Sequence, residues 1–397
     1  MRQSEINTVK SSCAICGATE ATVAGELTFA LPASYRLDGN YAVLACNCCG
    51  MVISKSSSEQ KDYDRFYAGT SYSPAYKTTL PDENEHQYLN ETAAIISAHV
   101  KKADGIIADI GTGISHLPLY LKQAGMDNVV ASDLSMDCIN ILKSEMKVNT
   151  LLGDLATVLE HHGNINFLVM SHIMEHFADL GSIISLIRNK LQPGSRIFVE
   201  VPATDEIETV CPEKPLSYLY YTHLNHFDEI HLNSLMTVCG CNRVAGGRRI
   251  REEKGIKIPA VWAVFERESK MASEAHASDF RLAVKIAGWF KNSSLDPSSE
   301  LYELAKSMQS VYVWGMGIHA NQMLGMSPLK DCNIKGLLDG NVSAIGSVIG
   351  KFTVESSEKL KQLDKDECVV ITAPTQKNKM VSFLRESIGF RGRIVTI

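Results

Sequence analysis

Cys13-Ala14-Ile15-Cys16-Gly17 and Cys46-Asn47-Cys48-Cys49-Gly50 are two C-x-x-C-G knuckles. Each offers two thiolates from a tight turn whose glycine relieves the backbone, and two knuckles complete the four sulfur ligands of a tetrahedral zinc site. The expected ligands are Cys13, Cys16, Cys46 and Cys49, with Cys48 as a spare thiol. Four protein thiolates leave no open coordination position, so such a metal stabilises the fold rather than catalysing. A redox reading of either pair is weak, because no βαβ pattern follows.

Two further stretches are dense in groups that move protons. Tyr220-Tyr221-Thr222-His223-Leu224-Asn225-His226-Phe227-Asp228 carries imidazoles that titrate near neutrality and can act as general base or acid. The bland alternative is a polar loop leading into a helix over Glu229–Val238, with Asp228 as its N-cap. His172-x-x-Glu175-His176 matches the H-x-x-E-H string of inverted zinc proteases. That chemistry needs the string on a helix with both histidines facing one metal. Here it follows the apolar run Ile165–Met170, a strand, and no third ligand suggests itself in the sequence. Tyr63, Phe66, Tyr67, Tyr72 and Tyr76 form an aromatic stretch, either packing onto the next domain or a substrate lid in which Tyr72 and Tyr76 contribute.

The elements that must position these groups centre on Gly105–His116. An apolar run carries Asp109 near its end, turns at Gly111-Thr112-Gly113 and enters a helix over 114–124, so a ligand can approach the backbone beside a helix N-terminus. A dinucleotide fingerprint wants a third glycine where His116 stands. The spacing of Asp109, Gly111, Gly113 and Ser115 resembles motif I of class I S-adenosylmethionine (SAM) methyltransferases. Ahead of it, Glu85 to Lys102 has helical spacing. Behind it, Asn128–Asp133 reads as a strand ending in an acid able to accept both ribose hydroxyls, and its alternative role is a helix N-cap. Leu151–Asp154 reads as a third strand end, whose acid faces the adenine amino group in SAM enzymes. The run from Met170 to Pro202 resembles the segment after the fourth strand of those methyltransferases: Glu175-His176, Asp179, Leu191, Pro193, Gly194 and a strand over Arg196–Val201 occupy the matching places, with Ser195 in place of a second glycine. His172 joins Asp109, Gly111, Gly113, Asp133 and Asp154 as a candidate cofactor contact.

Near the carboxyl end, Ser310–Gly317 begins a second strand–turn–helix unit, with strands at Ile334–Asp339, Glu367–Thr372 and Arg393–Ile397 and helices over 279–292 and 299–308. This is a smaller Rossmann-like unit in which Gly315, Gly317 and Asp339 are candidate substrate contacts; the alternative is a ligand-free scaffold.

Taken together, the knuckles, the Glu175-His176 phrase, the tyrosine-rich stretch and the Tyr220-x-x-His223-Leu224 segment resemble the zinc-binding nucleotide-sugar C-methyltransferases of deoxysugar pathways. The resemblance runs through the whole chain, including Gly346–Val354 after the acidic strand. It implies an enzyme that removes a proton beside a sugar ketone and lets the enolate attack the SAM methyl group. Tyr220, His223 and Leu224 match the family phrase, Thr222 stands where the family carries glutamate, and His226 where it carries tyrosine. With that glutamate replaced, a candidate base is lost, and His223 or His226 is expected to take over, with Tyr220 or His176 orienting the substrate or stabilising developing negative charge.

With 397 residues, two or three domains are expected. The expected architecture is α/β: a zinc-knuckle module with its tyrosine-rich loop over 1–80, a SAM methyltransferase domain over 81–270 and a Rossmann-like domain over 271–397. A net charge of −6 and the absence of a long Lys/Arg block argue against a nucleic-acid partner. No apolar run reaches membrane-spanning length and the first residues lack a signal-peptide core, so a cytoplasmic location without a membrane partner is expected. Eleven cysteines are then reduced, buried or metal-bound. The alternatives to sugar C-methylation are an O- or N-methyltransferase on another small molecule, a non-catalytic nucleotide-sugar binder with a relic SAM fold, and, through Gly315-x-Gly317, an NAD oxidoreductase. The acceptor and the oligomeric state are not legible.

Overall fold

A computed structural model describes residues 7–69, 81–101, 105–253, 256–269, 277–292 and 299–397. Three sheets organise them. The first takes β1 (Thr8–Lys10), β2 (Glu20–Thr28), β3 (Asn40–Cys46) and β4 (Val52–Lys55), an antiparallel meander whose knuckle turns fall before β2 and between β3 and β4.

The second sheet uses β5 (Ile106–Ile110), β6 (Val129–Asp133), β7 (Asn149–Leu152), β8 (Ile165–Ser171) and β9 (Arg196–Pro202). The short run β10 (Asn225–His226) leaves this region and pairs antiparallel with β4 as the fifth strand of the first sheet. A long hairpin, β11 (Cys241–Glu253) and β12 (Ile256–Arg267), then returns to the second sheet. Its order is β11-β12-β9-β8-β5-β6-β7, parallel from β7 to β9 and antiparallel at β12. Near-continuous apolar runs such as Phe167–Met170 are what a parallel strand covered on both faces requires. The chain winds outward through β6 and β7, then returns on the other side of β5 with β8. The carboxyl ends of β5 and β8 therefore flank the switch point, where open α/β sheets bind ligands.

The third sheet holds β13 (Val311–Trp314), β14 (Ile334–Asp339), β15 (Val348–Ile349), β16 (Phe352–Ser356), β17 (Cys368–Ile371) and β18 (Arg393–Thr396) in the order β15-β16-β14-β13-β17-β18. All of its pairings are parallel except β15 with β16. This is the expected smaller Rossmann-like unit.

The first sheet is a wedge between the other two. Cys46, Cys49 and Met51 share a core with Met170, Ile184 and Leu232 of the second unit. Leu27, Tyr41 and Val43 share another with Val313, Met323 and Val370 of the third. The helix Ile318–Met326 lies so close to β2 that a Cβ on Gly325 would stand 2.1 Å from the Thr28 carbonyl oxygen. That contact requires glycine.

Most expected elements form with small boundary shifts. The helix expected from Glu85 runs Glu83–His99, capped by Asp82, which accepts from the Glu85 N–H at 2.9 Å. The helix expected at 114 starts at Leu117, because Gly111 and Gly113 are both left-handed (φ +63° and +60°) and Ser115 N–H closes a further turn on the Thr112 carbonyl. Asp228 caps Glu229–Val238 as expected, accepting from the His231 N–H at 2.8 Å. His172-x-x-Glu175-His176 lies on a strand end and one 3-10 turn (Met174–His176), not on an α-helix.

Candidate active site

A cavity of about 400 Å³ opens at the switch point. The turn after β5 forms its floor with Ile110, Gly111 and Gly113, and Asp133 at the end of β6 and Asp154 after β7 stand along one side. His172, Ile173, His176 and Phe177, after β8, form the other. Gly111 has no alternative here: besides its positive φ, a Cβ would lie 2.5 Å from Ile173 Cδ1.

The three acids differ in what they can offer. Asp109 is buried beneath the turn and does not line the cavity; burial pushes its carboxyl up to about 7. Asp133 reaches the cavity and knits the turn together, Oδ2 accepting from Gly113 N–H and Oδ1 from Ser135 N–H, both at 2.8 Å. Burial raises its pKa despite those two donors. The N-cap after β6 is Ser135, which accepts from Cys138 N–H, so Asp133 is not spent on that task. Asp154 caps Leu155–His161 through Oδ1, accepting from Thr157 N–H and Oγ1–H, and leaves Oδ2 as an acceptor.

On the opposite wall His172 holds a left-handed backbone (φ +52°), unusual for a residue with a Cβ, fixed by its N–H donating to the Glu200 carbonyl at 2.7 Å. Its Nε2 lies 3.4 Å from Tyr88 Oη, and its Nδ1 3.4 Å from Glu175 Oε1. Behind it, the fully buried Glu200 carboxylate accepts from Arg249 Nε at 2.8 Å and also pairs with Nη2, while the Arg249 guanidinium sits 4.1 Å over the Tyr88 ring. Glu200, Arg249 and Tyr88 were not singled out from the sequence. Arg249 sits in the arginine-rich β11, and nothing in a linear string ties it to an acid 49 residues away.

His176 is the joint between this cavity and a second, smaller one. Its Nδ1 lies 2.7 Å from the Thr222 carbonyl oxygen, which can only accept, so Nδ1 carries a proton and Nε2 is left to face Glu175 Oε1 at 3.9 Å. Tyr67 Oη stands 3.0 Å from the same Nδ1. The small cavity, about 20 Å³, is lined by Glu175, Tyr218, Tyr220, His223 and His226 among others. The His176 and His223 rings meet edge-on at 5.0 Å, and His223 lies 4.8 Å from Tyr220 between ring centroids. Burial, with His176 next, pushes His223 down to about 3, so its imidazole is neutral. Burial alone would raise Glu175, but the contact with His172 leads the effects that hold it down at about 2, as an anion.

His226 is placed differently. It is buried on β10 with Nε2 2.7 Å from Ser54 Oγ of the first sheet, so that nitrogen is occupied. Gly315, Gly317 and Asp339 come together at the strand ends of the third sheet, where Asp339 Oδ2 accepts from Met316 N–H at 2.5 Å, and none of them lines the large cavity. Tyr72 and Tyr76 lie outside the described residues. The first-sheet side of the cavity is instead supplied by Gln60, Asp64 and Tyr67 of the helix Gln60–Ala68. Gln60 Oε1 accepts from the N–H groups of Ala178 and Asp179, at 2.8 and 3.2 Å. Aromatic spacing pointed to the tyrosine-rich stretch, but not to its glutamine.

The four knuckle cysteines converge, with Cys13 Sγ 3.6 Å from Cys49 Sγ and Cys16 Sγ 3.5 Å from Cys46 Sγ. Tetrahedral zinc with bonds of about 2.3 Å separates its sulfurs by about 3.8 Å, so the cluster has the size of a metal tetrathiolate and not of two disulfides. Cys48 lies outside it.

Residues 84–245 match the family described as a methyltransferase domain. No curated protein matches the chain. Among solved structures, a SAM-dependent methyltransferase from Methanosarcina mazei is similar over 44% of this chain and 98% of its own, at 16% identity and a TM-score of 0.38. The 1,6-didemethyltoxoflavin-N1-methyltransferase of Burkholderia thailandensis, solved with 1,6-didemethyltoxoflavin and S-adenosylhomocysteine, is similar over 55% and 96%, at 14% and 0.39. Magnesium protoporphyrin IX methyltransferase from Synechocystis PCC 6803 with S-adenosylhomocysteine is similar over 49% and 90%, at 14% and 0.37. The domain match, on a seven-stranded sheet with an antiparallel penultimate strand and a glycine turn after its central strand, defines the class: the protein is a SAM-dependent methyltransferase.

Proposed function

We propose that the protein methylates carbon on a nucleotide-activated ketosugar, with SAM in the large cavity and zinc in the cysteine cluster. The observation that carries the reading is the continuity from the glycine turn, across His172 and His176, to a neutral His223 beside Tyr220. In this reading Asp133 takes the ribose hydroxyls, Asp154 the adenine amino group, and the turn at Gly111 and Gly113 the close backbone approach. SAM, when bound, supplies an electrophilic methyl group. The chain's own task is to hold an acceptor carbon in line with that methyl and to take its proton.

His223 is the better base of the two histidines, because His226 Nε2 is engaged by Ser54. Glu175 supplies a buried carboxylate near His223, in the neighbourhood where the related enzymes have the glutamate that Thr222 replaces here. Gly315, Gly317 and Asp339 would bind the nucleotide portion from the third sheet. Carboxylates and imidazoles line the site, and the reading has a soluble sugar nucleotide as the partner and the cytoplasm as the location.

The test is incubation with methyl-labelled SAM and a panel of nucleotide-linked ketosugars, with NMR of the products. A new methyl bonded to ring carbon supports the reading. A methyl on oxygen or nitrogen replaces it with O- or N-methylation. Binding of sugar nucleotide without any SAM turnover would make the protein a binder on a relic fold.

A further inference from the structure

Glu175 poses a charge problem. Its side chain is 2% exposed, and neither carboxylate oxygen has a hydrogen-bond partner among the described residues. An ionised carboxylate held this way is costly unless a cation or donors meet it. His172 Nδ1 approaches Oε1 at 3.4 Å on one side, and on the other, at 3.9 Å, Oε1 faces His176 Nε2, the nitrogen left with a lone pair when Nδ1–H donates to Thr222. Two lone pairs facing each other at that distance are too far apart for a hydrogen bond and repel without something positive between them.

We infer that Glu175, His176 and His223 form a second metal site, for a first-row divalent cation. One ligand atom from each of the three lies within 4.8 Å of the others. Ligands bonded at about 2.0–2.2 Å to one ion can stand up to about 4.2 Å apart, so the 3.9 Å pair can bracket an ion, with a His223 nitrogen within 4.8 Å of both. Two imidazoles and one carboxylate suit zinc, iron(II) or manganese(II). The second shell is in place, since the Thr222 carbonyl fixes the His176 tautomer with Nε2 as the ligating atom. The adjoining cavity of about 20 Å³ has room for one exogenous oxygen ligand. Three protein ligands leave coordination positions open, unlike the closed cysteine cluster. The site does not depend on the ketosugar reading: His223 is a ligand when the ion is bound and is available as the base of that reading only when it is not.

Manganese(II) is the discriminating probe, because its preference for oxygen and nitrogen keeps it off the thiolates. The full-length protein, dialysed against buffer without added metal so that the cysteine cluster keeps its ion, is titrated with manganese(II) while free ion is followed by EPR. One saturable equivalent below millimolar concentration is expected, weakened at least tenfold in Glu175→Gln and in His223→Ala, with zinc content and thermal unfolding unchanged. Nitrogen modulation in the pulsed EPR of bound wild-type manganese should report two coordinated imidazoles, a readout that stands even if a variant misfolds. No saturable uptake, equal uptake by both folded variants, or bound manganese without nitrogen coupling overturns the site. Metal uptake without transfer to any sugar nucleotide would instead refute the ketosugar reading and leave the site standing.

Discussion

His223 and His226 are three residues apart and do different things. His226 ties two neighbouring strands of the first sheet together through Ser54, and burial pushes it down to about 4. In an unfolded chain the same imidazole protonates near pH 6.5, so between those values the unfolded state binds more protons. Its contribution is therefore whole above about pH 6.5 and is lost as pH falls toward about 4, with an upper bound of about 3 kcal/mol. Thermal unfolding from pH 7 to pH 4 should fall less steeply in His226→Asn than in the wild type, although the variant is less stable at pH 7 by about 1–2 kcal/mol for the lost hydrogen bond. His223→Ala should retain the wild-type unfolding transition and lose about 10²–10⁴-fold in kcat with the true acceptor. Equal kinetic losses in both variants would return His226 to the site. Gly111→Ala imposes a left-handed alanine, costing about 1–2 kcal/mol, and drives its methyl against Ile173. Calorimetry with S-adenosylhomocysteine should show affinity down at least tenfold.

At the scale of elements, the helix Gln60–Ala68 closes one side of the large cavity with residues that belong to the first sheet's chain segment. Gln60 holds two backbone donors that open the stretch before the helix Leu180–Lys190, and Tyr67 stands on His176. Gln60→Ala strands both N–H groups, and a loss of about fivefold to tenfold in S-adenosylhomocysteine affinity is expected, with the knuckle metal retained. Unchanged affinity would make the contact a packing detail. What the sequence disclosed follows the same division. The glycine turn, the acid ending β6 and the Asp228 cap were legible because each rests on local chemistry within a few residues. The pairing of β10 with β4 was not, since Asn225-His226 has no strand signature and its partner lies 172 residues away at the Ser54 contact. Nor was β11, which forms an edge strand with Arg249 turned inward onto Glu200. The third member of the Glu175-His176 group was missed for the same reason: His223 reaches it only through the fold.

Across the whole molecule, the cysteine module is coupled to the catalytic domain by a buried cation. His231 Nε2 is 3.1 Å from the Cys49 carbonyl oxygen and Nδ1 is 2.8 Å from Asp228 Oδ1. Both partners only accept, so both ring nitrogens are protonated, consistent with the raised pKa that Asp228 gives His231 against its burial. The same knuckle meets the start of the third unit, where Asp279 N–H donates to the Cys49 carbonyl and Ser278 Oγ–H to that of Cys48. The backbone at Cys48 and Cys49 is thus held by both neighbouring units, and on the zinc reading its turn conformation is set by the sulfurs around the metal. Releasing such a metal would free the turn, and with it the first-sheet face that carries Gln60 and Tyr67 into the large cavity. Stripping the protein with a strong chelator, or Cys13→Ser with Cys49→Ser, should lower Tm by about 10 °C or more, as expected for loss of a structural metal worth several kcal/mol. It should also cost S-adenosylhomocysteine affinity, although no cysteine lines the cavity. Calorimetry on the stripped protein at a temperature below its new Tm decides the matter. Affinity within twofold of the metal-loaded protein would mean that the module stabilises the chain without shaping the cofactor site, and a larger loss that returns on adding zinc would establish the coupling.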